Sequence, residues 1–179
     1  MMRKMMLLQL ILTAVSLLFG EIASVPIGNQ QELVNWLSAN KKNDRQITLS
    51  LAEGTYIGPF ELPPKCVLEG ANQDGVILTA ESGSFVLKTS DETRIRNLKL
   101  QQGKVLTILS VSHVQDVEIN HVQIEGSNGF GVFIDHSSKI RLSDVNVKGV
   151  DYGVLLRETE DFQLDSCTLI RNHFCGISL

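Results

Sequence analysis

Two short polar pairs in the C-terminal half of the chain carry side chains that could contact a sugar. Asp135-His136 and Arg157-Glu158 lie 22 residues apart, and each pair directly follows an alternating apolar segment. Phe133 stands two residues before Asp135, at an outward position of its segment. An aromatic ring offers a flat apolar face to a pyranose, while carboxylate, imidazole and guanidinium groups bind its hydroxyls directionally. Phe133, Asp135, His136, Arg157 and Glu158 are therefore candidate carbohydrate-contacting residues.

A purely structural explanation of the same residues stays open. Asp135 and Arg157 can form an ordinary ion pair, and Phe133 and Leu155 can pack beneath a loop or a further segment. The two explanations differ in whether the patch contacts a ligand.

The segments that would position these residues belong to a repeat of about 22–24 residues. Two apolar residues separated by one outward residue indicate a strand buried on one face, and a fixed repeat of this length indicates stacked units. The first set comprises Thr93/Ile95, Val117/Ile119, Ile140/Leu142 and Phe162/Leu164. The second comprises Leu98/Leu100, Val122/Ile124, Val145/Val147 and Cys167/Leu169, and the third Leu106/Ile108, Val132/Ile134, Val154/Leu156 and Ile177/Leu179. Each set predicts a strand that stacks on its own copies.

Polar corners and glycines separate the predicted strands. A two-residue corner lies between the first and second strands of each copy: Arg96-Asn97, Asn120-His121, Ser143-Asp144 and Asp165-Ser166. Such side chains bond to the backbone at tight bends and to their copies in neighbouring coils. Gly103, Gly126 and Gly149 follow the second strands, where we expect positive φ. The pattern predicts an all-β, single-stranded parallel β-helix with three strands per coil and about five or six coils.

The segment before the repeats predicts an N-terminal cap. Residues 31–39 place Leu33, Trp36 and Leu37 on one helical face, with Asn29 as the N-cap. A solenoid needs its terminal core covered. We expect residues 25–46 to form a capping segment with a short helix, and residues 47–179 to form the β-helix.

The order Gln-Glu-Leu-Val-Asn-Trp-Leu, then Ile-Thr-Leu-Ser-Leu-Ala-Glu-Gly-Thr-Tyr-Ile-Gly-Pro-Phe-Glu-Leu, then Val-Leu-Glu-Gly-Ala resembles the opening of right-handed parallel β-helix proteins of the pectate-lyase-like superfamily. The resemblance covers residues 28–179. It implies a right-handed coil, and a sugar groove on the sheet that carries Phe133. That superfamily includes exported pectate, alginate and chondroitin lyases, uronan epimerases and non-catalytic relatives, so the resemblance is specific for fold and unspecific for chemistry.

Residues 1–24 have the features of a secretory signal peptide. Arg3 and Lys4 precede an apolar run from Leu7 to Phe19 that is too short to span a bilayer. We expect a secreted or periplasmic protein with no membrane span after cleavage. The whole chain carries a net charge of −4, so its surface offers little to nucleic acid.

The sequence indicates no metal site. His113, His121, His136 and His173 do not fall at equal positions of the assigned repeat. The resemblance allows calcium as a cofactor, but the groove positions read as Leu109, Asp135 and Arg157 supply one carboxylate where a calcium cage needs several. The three cysteines are interpreted as small apolar residues, with a bridge or a reactive thiol as the alternative.

No catalytic motif of the superfamily can be placed on these residues. A hydrolase needs clustered carboxylates, for which Asp135, Glu158, Glu160 and Asp161 are candidates whose directions the sequence leaves open. We therefore expect an exported β-helix domain that binds or scaffolds on polysaccharide. The alternatives are the N-terminal portion of a polysaccharide lyase, uronan epimerase or glycoside hydrolase with its active site on later coils, and a surface or assembly module.

The last residues, Gly176-Ile177-Ser178-Leu179, read as the first strand of a further coil. An uncapped strand edge can pair with another chain or with a missing segment. The expectation is a β-helix that is incomplete at its C-terminus and self-associates through that edge.

Overall fold

The computed structural model describes residues 23–179, which form strands and one helix, α1 (Gln30–Ala39). The strands are β1 (Ala23–Ile27), β2 (Ile47–Leu51), β3 (Gly54–Gly58), β4 (Phe60–Glu61), β5 (Cys66–Gly70), β6 (Val76–Ala80), β7 (Phe85–Lys88), β8 (Arg94–Gln101), β9 (Thr107–Ser112), β10 (Gln115–Glu125), β11 (Phe130–Asp135), β12 (Ser138–Lys148), β13 (Tyr152–Arg157), β14 (Glu160–Asp165), β15 (Thr168–Ile170) and β16 (Cys175–Ser178). The predicted signal peptide lies outside the described residues except for its last two, which begin β1.

The strands stack in three parallel ladders, so the chain is a parallel β-helix as predicted. The first ladder contains β1, β2, β5, the first parts of β8, β10 and β12, and β14. The second contains β3, β6, the second parts of β8, β10 and β12, and β15. The third contains β4, β7, β9, β11, β13 and β16. Each complete coil thus gives one strand to each ladder.

The first ladder marks seven coils, where the sequence predicted five or six. The additional coil begins with β1, which pairs in register with β2 through Val25↔Leu49 and Ile27↔Leu51. The sequence pattern missed this coil for two reasons. Pro26 has no backbone N–H to donate between strands, and the first two residues of β1 belong to the predicted signal peptide. Parallel pairing therefore begins ahead of α1, not after it.

The core is a column of inward residues that repeat from coil to coil. In the first ladder, Leu49, Leu68, Ile95, Ile119 and Leu142 are aligned, and each is at most 1% exposed. Helix α1 adds Leu33 and Leu37 to the same apolar cluster. The side chain of Asn29 accepts a hydrogen bond from the backbone N–H of Glu32 at 3.1 Å, which confirms the predicted N-cap.

The polar corners are confirmed, and their geometry is the same in every copy. The second corner residue has a positive φ throughout: 55° at Asn97, 53° at His121, 52° at Asp144 and 53° at Ser166. Short polar side chains tolerate this left-handed conformation best among non-glycine residues. Copies also bond to one another, since Asn120 donates to the Ser143 hydroxyl at 2.8 Å. The strands therefore turn from the first ladder to the second at a stacked, hydrogen-bonded edge.

The predicted third set was wrong in its first copy. Leu109 and Val111, not Leu106 and Ile108, align with Val132 and Ile134. Leu106 is 64% exposed. The sequence here alternates in two possible frames, one starting at Leu106 and one at Leu109. The structure follows the second, in which paired residues of β9 and β11 lie 23 positions apart. The outward neighbour of Phe133 is consequently Ser110.

The prediction for the glycines was also only partly correct. Gly149 has φ +78°, whereas Gly103 and Gly126 do not lie in the left-handed region. A Cβ atom at Gly103 would lie 1.8 Å from the carbonyl oxygen of Ala80 in the preceding coil. Close approach between coils, and not backbone conformation, requires glycine at that position.

The described cysteines form no disulfide bond. Cys66 is fully buried, and burial raises the pKa of its thiol to about 12, while Cys167 and Cys175 are partly buried. A thiol held protonated behaves as a small apolar group. Within residues 23–179, none of the helical structure is long and apolar enough to cross a bilayer.

Replacement of Val145 by aspartate tests the buried column. Val145 is 2% exposed, so Val145→Asp places a carboxylate without a partner in the core and should cost roughly 3 to 5 kcal/mol. Urea unfolding followed by circular dichroism measures the loss. Thr168→Asp, on the exposed side of β15, is the control and should unfold within ~0.5 kcal/mol of wild type.

Replacement of Gly103 by alanine tests the close packing of adjacent coils. Gly103→Ala should destabilise the protein by about 1 to 3 kcal/mol, because the new methyl group overlaps the Ala80 carbonyl. In Gly28→Ala the new Cβ would meet only the end of the Glu32 side chain at 3.4 Å. Equal unfolding midpoints for the two variants would contradict the coil spacing described above.

Candidate functional site

The third ladder brings the predicted site residues together. Strands β9, β11 and β13 pair in register, which aligns Ser112 with Asp135 and Asp135 with Arg157. Val132 and Ile134 point into the core, and Phe133 between them is half-buried on the outer side. Residues one coil apart in sequence are thus neighbours across the ladder.

Asp135 is the most buried polar member of this group. Its carboxylate oxygen Oδ1 accepts a hydrogen bond of 2.6 Å from Nε of Arg157. The same oxygen lies 2.8 Å from Nδ1 of His136. The hydrogen bond from Arg157, with that from His136, holds the pKa of Asp135 well below its usual range although burial alone would raise it. A buried carboxylate therefore stays ionised at neutral pH.

His136 lies between two carboxylates. Its Nε2 atom is 2.7 Å from Oε2 of Glu158, on the side of the ring away from Asp135. His136 and Glu158 both occupy the turn after a third-ladder strand, with φ values of 45° and 47°. Because their turns are copies of one another, the backbone sets the imidazole and the Glu158 carboxylate side by side.

His113 joins this group, and the sequence analysis missed it. Its ring stacks on that of His136 with centroids 5.0 Å apart and an interplanar angle of 29°. Its Nε2 atom lies 4.0 Å from Oδ2 of Asp135. The statement that the histidines do not occupy equal positions is wrong for this pair, since both follow aligned residues of β9 and β11. The misassigned strand hid the 23-residue spacing that would have revealed it.

A row of aromatic rings runs along the same face of the solenoid. Phe130 lies 5.6 Å from Tyr152, and Tyr152 lies 5.4 Å from Phe174, measured between ring centroids. Phe133 joins the row 5.8 Å from Phe130, and the guanidinium of Arg157 lies 5.6 Å from its centroid. We call Phe130, Phe133, Tyr152 and Phe174 the aromatic row. Phe133 is thus partly covered by Arg157, while Phe174 is 70% exposed.

The ligand set does not fit the calcium site that the resemblance allows. Corrected for register, the aligned positions hold Ser112, Asp135 and Arg157, so a single carboxylate is present. Calcium takes six to eight oxygen ligands. One oxygen of that carboxylate is already bound to a guanidinium, which leaves too few ligands for such a cage.

The four candidate hydrolase carboxylates do not converge. Glu158 and Glu160 line a shallow depression with His136 and Ser138. Asp161 instead borders a different depression, on the outer side of the first ladder, with Asp116 and Lys139. Glycoside hydrolysis requires a pair of carboxylates, and the candidates that remain for it lie near His136: Asp135, Glu158 and Glu160.

Comparison with known proteins gives structural matches only. Neither a protein-family model nor a curated protein sequence matches the chain. It is similar to the structure described as Geobacillus virus E2 ORF18, with a TM-score of 0.56 and 10% identity over 80% of this chain and 39% of that chain. It is similar to an alginate lyase from Paenibacillus sp. str. FPU-7, with a TM-score of 0.54 and 18% identity over 79% and 58%.

A third similar structure is a pectin methylesterase mutant in complex with a hexasaccharide, with a TM-score of 0.54 and 7% identity over 76% of this chain and 66% of that chain. The chain therefore spans less than two thirds of the length of each of the three structures. At these identities the likeness concerns the fold alone. Together with the seven in-register coils, it identifies the chain as a parallel β-helix protein with the pectate-lyase-like fold.

Proposed function

We propose that this chain is an exported β-helix protein that binds polysaccharide along the outer side of the third ladder. The aromatic row beside the polar group of Asp135, His136, Arg157 and Glu158 carries the proposal. The rings of successive coils form an extended apolar strip that ends at the exposed ring of Phe174, and sugar C–H groups pack on such surfaces. The polar group next to it supplies donors and acceptors for hydroxyls.

The direction of the aromatic row supports contact with an extended ligand. Side chains of successive coils align along the solenoid axis, so the aromatic row covers β11, β13 and the turn before β16. A linear polysaccharide lying along that axis would meet one coil after another. Binding energy is then distributed over several weak, similar contacts.

The charges of the face favour a neutral or weakly charged glycan. Arg157 is held by Asp135, and His136 is flanked by Glu158, so the guanidinium and the imidazole already have carboxylate partners. A strongly anionic uronan would have to compete with these carboxylates. Two of the similar structures are named as a pectin methylesterase and an alginate lyase, but the shared fold does not transfer either substrate to this chain.

A second candidate is a polysaccharide-active enzyme, and the contacts of His136 favour it. An imidazole oriented by a buried carboxylate is an arrangement that serves general acid–base catalysis. In that case the other catalytic groups would lie in a region equivalent to the parts of the similar structures that this chain does not cover. Formation of new reducing ends or of unsaturated sugars from any polysaccharide would favour this candidate over binding alone.

Alanine variants in the aromatic row test polysaccharide binding. Phe133→Ala and Tyr152→Ala should each weaken binding by about 1 to 3 kcal/mol, the range for loss of an aromatic anchor. Affinity gel electrophoresis against a panel of neutral and anionic polysaccharides identifies the ligand, and calorimetry then measures the change. Phe133→Ala should retain the thermal midpoint of wild type within a few degrees, because its ring lies outside the core.

The matched control is Ile57→Ala, which removes an exposed apolar side chain from β3 in the second ladder. Ile57→Ala should bind like wild type. Retardation of wild type by no polysaccharide, or equal retardation of all the variants, would contradict the proposal. Retardation by anionic polymers alone would overturn the preference for neutral glycans while keeping the binding face.

A further inference from the structure

We propose that His113, Asp135 and His136 bind a divalent transition-metal ion of the zinc type at the turn between coils. The site lies beside the aromatic row but does not depend on polysaccharide binding, since its ligands come from the last residue of β11 and from the turns after β9 and β11. It replaces the expectation of no metal site, which rested on the misassigned repeat.

The distances suit a single small cation. One potential ligand atom from each of the three side chains lies within 4.8 Å of the other two. Two atoms that are each ~2.0 to 2.2 Å from zinc can be no more than about 4.3 Å apart. Nε2 of His113 and Oδ2 of Asp135, at 4.0 Å, already satisfy that limit. The other pairs of ligand atoms lie within 4.8 Å, so they need to approach by no more than about 0.5 Å for one ion to contact all three.

The backbone holds the two imidazoles in place. His113 and His136 have φ values of 57° and 45°, a conformation that is uncommon for residues other than glycine. Backbone hydrogen bonds fix both turns: His113 N–H donates to the Asp135 carbonyl at 2.9 Å, and His136 N–H to the Arg157 carbonyl at 3.0 Å. The two turns are therefore stacked copies, and stacking places one ring above the other.

Arg157 orients the carboxylate without blocking it. Its Nε atom bonds to Oδ1 of Asp135, whereas the oxygen nearer His113 is Oδ2. Hydrogen-bonded partners of this kind fix the orientation of carboxylates and histidines that bind metals. Asp135 is only 5% exposed, so its carboxylate has a fixed position in which Oδ2 lies on the His113 side of the site.

The ligand types select the class of metal. Two imidazoles and one carboxylate suit zinc and its first-row neighbours, while calcium and magnesium prefer oxygen ligands only. The side chains of His113 and His136 are 71% and 42% exposed, so the open side of the site faces solvent. Glu158 contacts Nε2 of His136, on the side of the ring away from Asp135, and so can orient the imidazole without binding the ion itself.

Calorimetric titration of the purified, metal-free protein with zinc chloride tests the proposal in the absence of any glycan. We expect saturable binding of one zinc ion per chain. His113→Gln and His136→Gln should each weaken binding at least tenfold, as expected for loss of one of three ligands. His113 is the decisive position, because its exposed side chain can be replaced without disturbing the ion pair of Asp135 and Arg157.

His121→Gln is the matched control, since it removes a histidine that pairs with an aspartate one coil away at the polar corner. It should bind zinc like wild type. Titration with cobalt chloride adds a spectroscopic readout: d–d bands without a sulfur-to-cobalt charge-transfer band are expected for nitrogen and oxygen ligands. No saturable zinc binding, undiminished affinity in both His113→Gln and His136→Gln, or a cobalt–thiolate band would overturn the proposal. Zinc binding without polysaccharide binding would leave this inference standing while removing the proposed function.

Discussion

The in-register hydrogen bonding of parallel strands between coils is the interaction on which the whole structure depends. It places each residue beside its own copy one coil earlier and later, ~4.8 Å away. Side chains that lie 22 to 24 residues apart in sequence are consequently neighbours from β8 onward, whereas the spacing between paired residues is 19 or 27 in some N-terminal coils. Arg94 with Glu118, His121 with Asp144, and Asp135 with Arg157 are all contacts of this kind.

This constraint explains why polar groups accumulate at the turns and not within the column. The inward slots hold apolar side chains or a small neutral one such as Thr93, because a buried charge there has no partner across the coil. At the turns, left-handed residues carry side chains that reach their copies, as His121 reaches Asp144 and His136 reaches Glu158. Asp135 can be both buried and ionised only because the next coil supplies Arg157 and the adjoining turn supplies His136.

The sequence was sufficient for the inward slots, the polar corners and the N-cap of the helix, since each depends on a local pattern. It failed where two local patterns compete: Leu106 and Leu109 both begin an alternation, and only pairing with β11 selects Leu109. That one error hid Ser110 as the outward neighbour of Phe133, and it concealed the alignment of His113 with His136. The aromatic row was recognised only at Phe133, because ring contacts between neighbouring coils depend on side-chain directions at turns.

Distances between spin labels along the first ladder test the stacking most directly. Thr48, Arg141 and Gln163 are aligned outward positions, with Thr48 four coils from Arg141 and five from Gln163. Double electron–electron resonance between label pairs at Thr48 and each of the others should give mean distances near ~19 and ~24 Å plus a common label contribution. An increase of about one strand spacing between the two pairs is the predicted result. Equal distances, or a decrease, would contradict the register from which the site and both proposals follow.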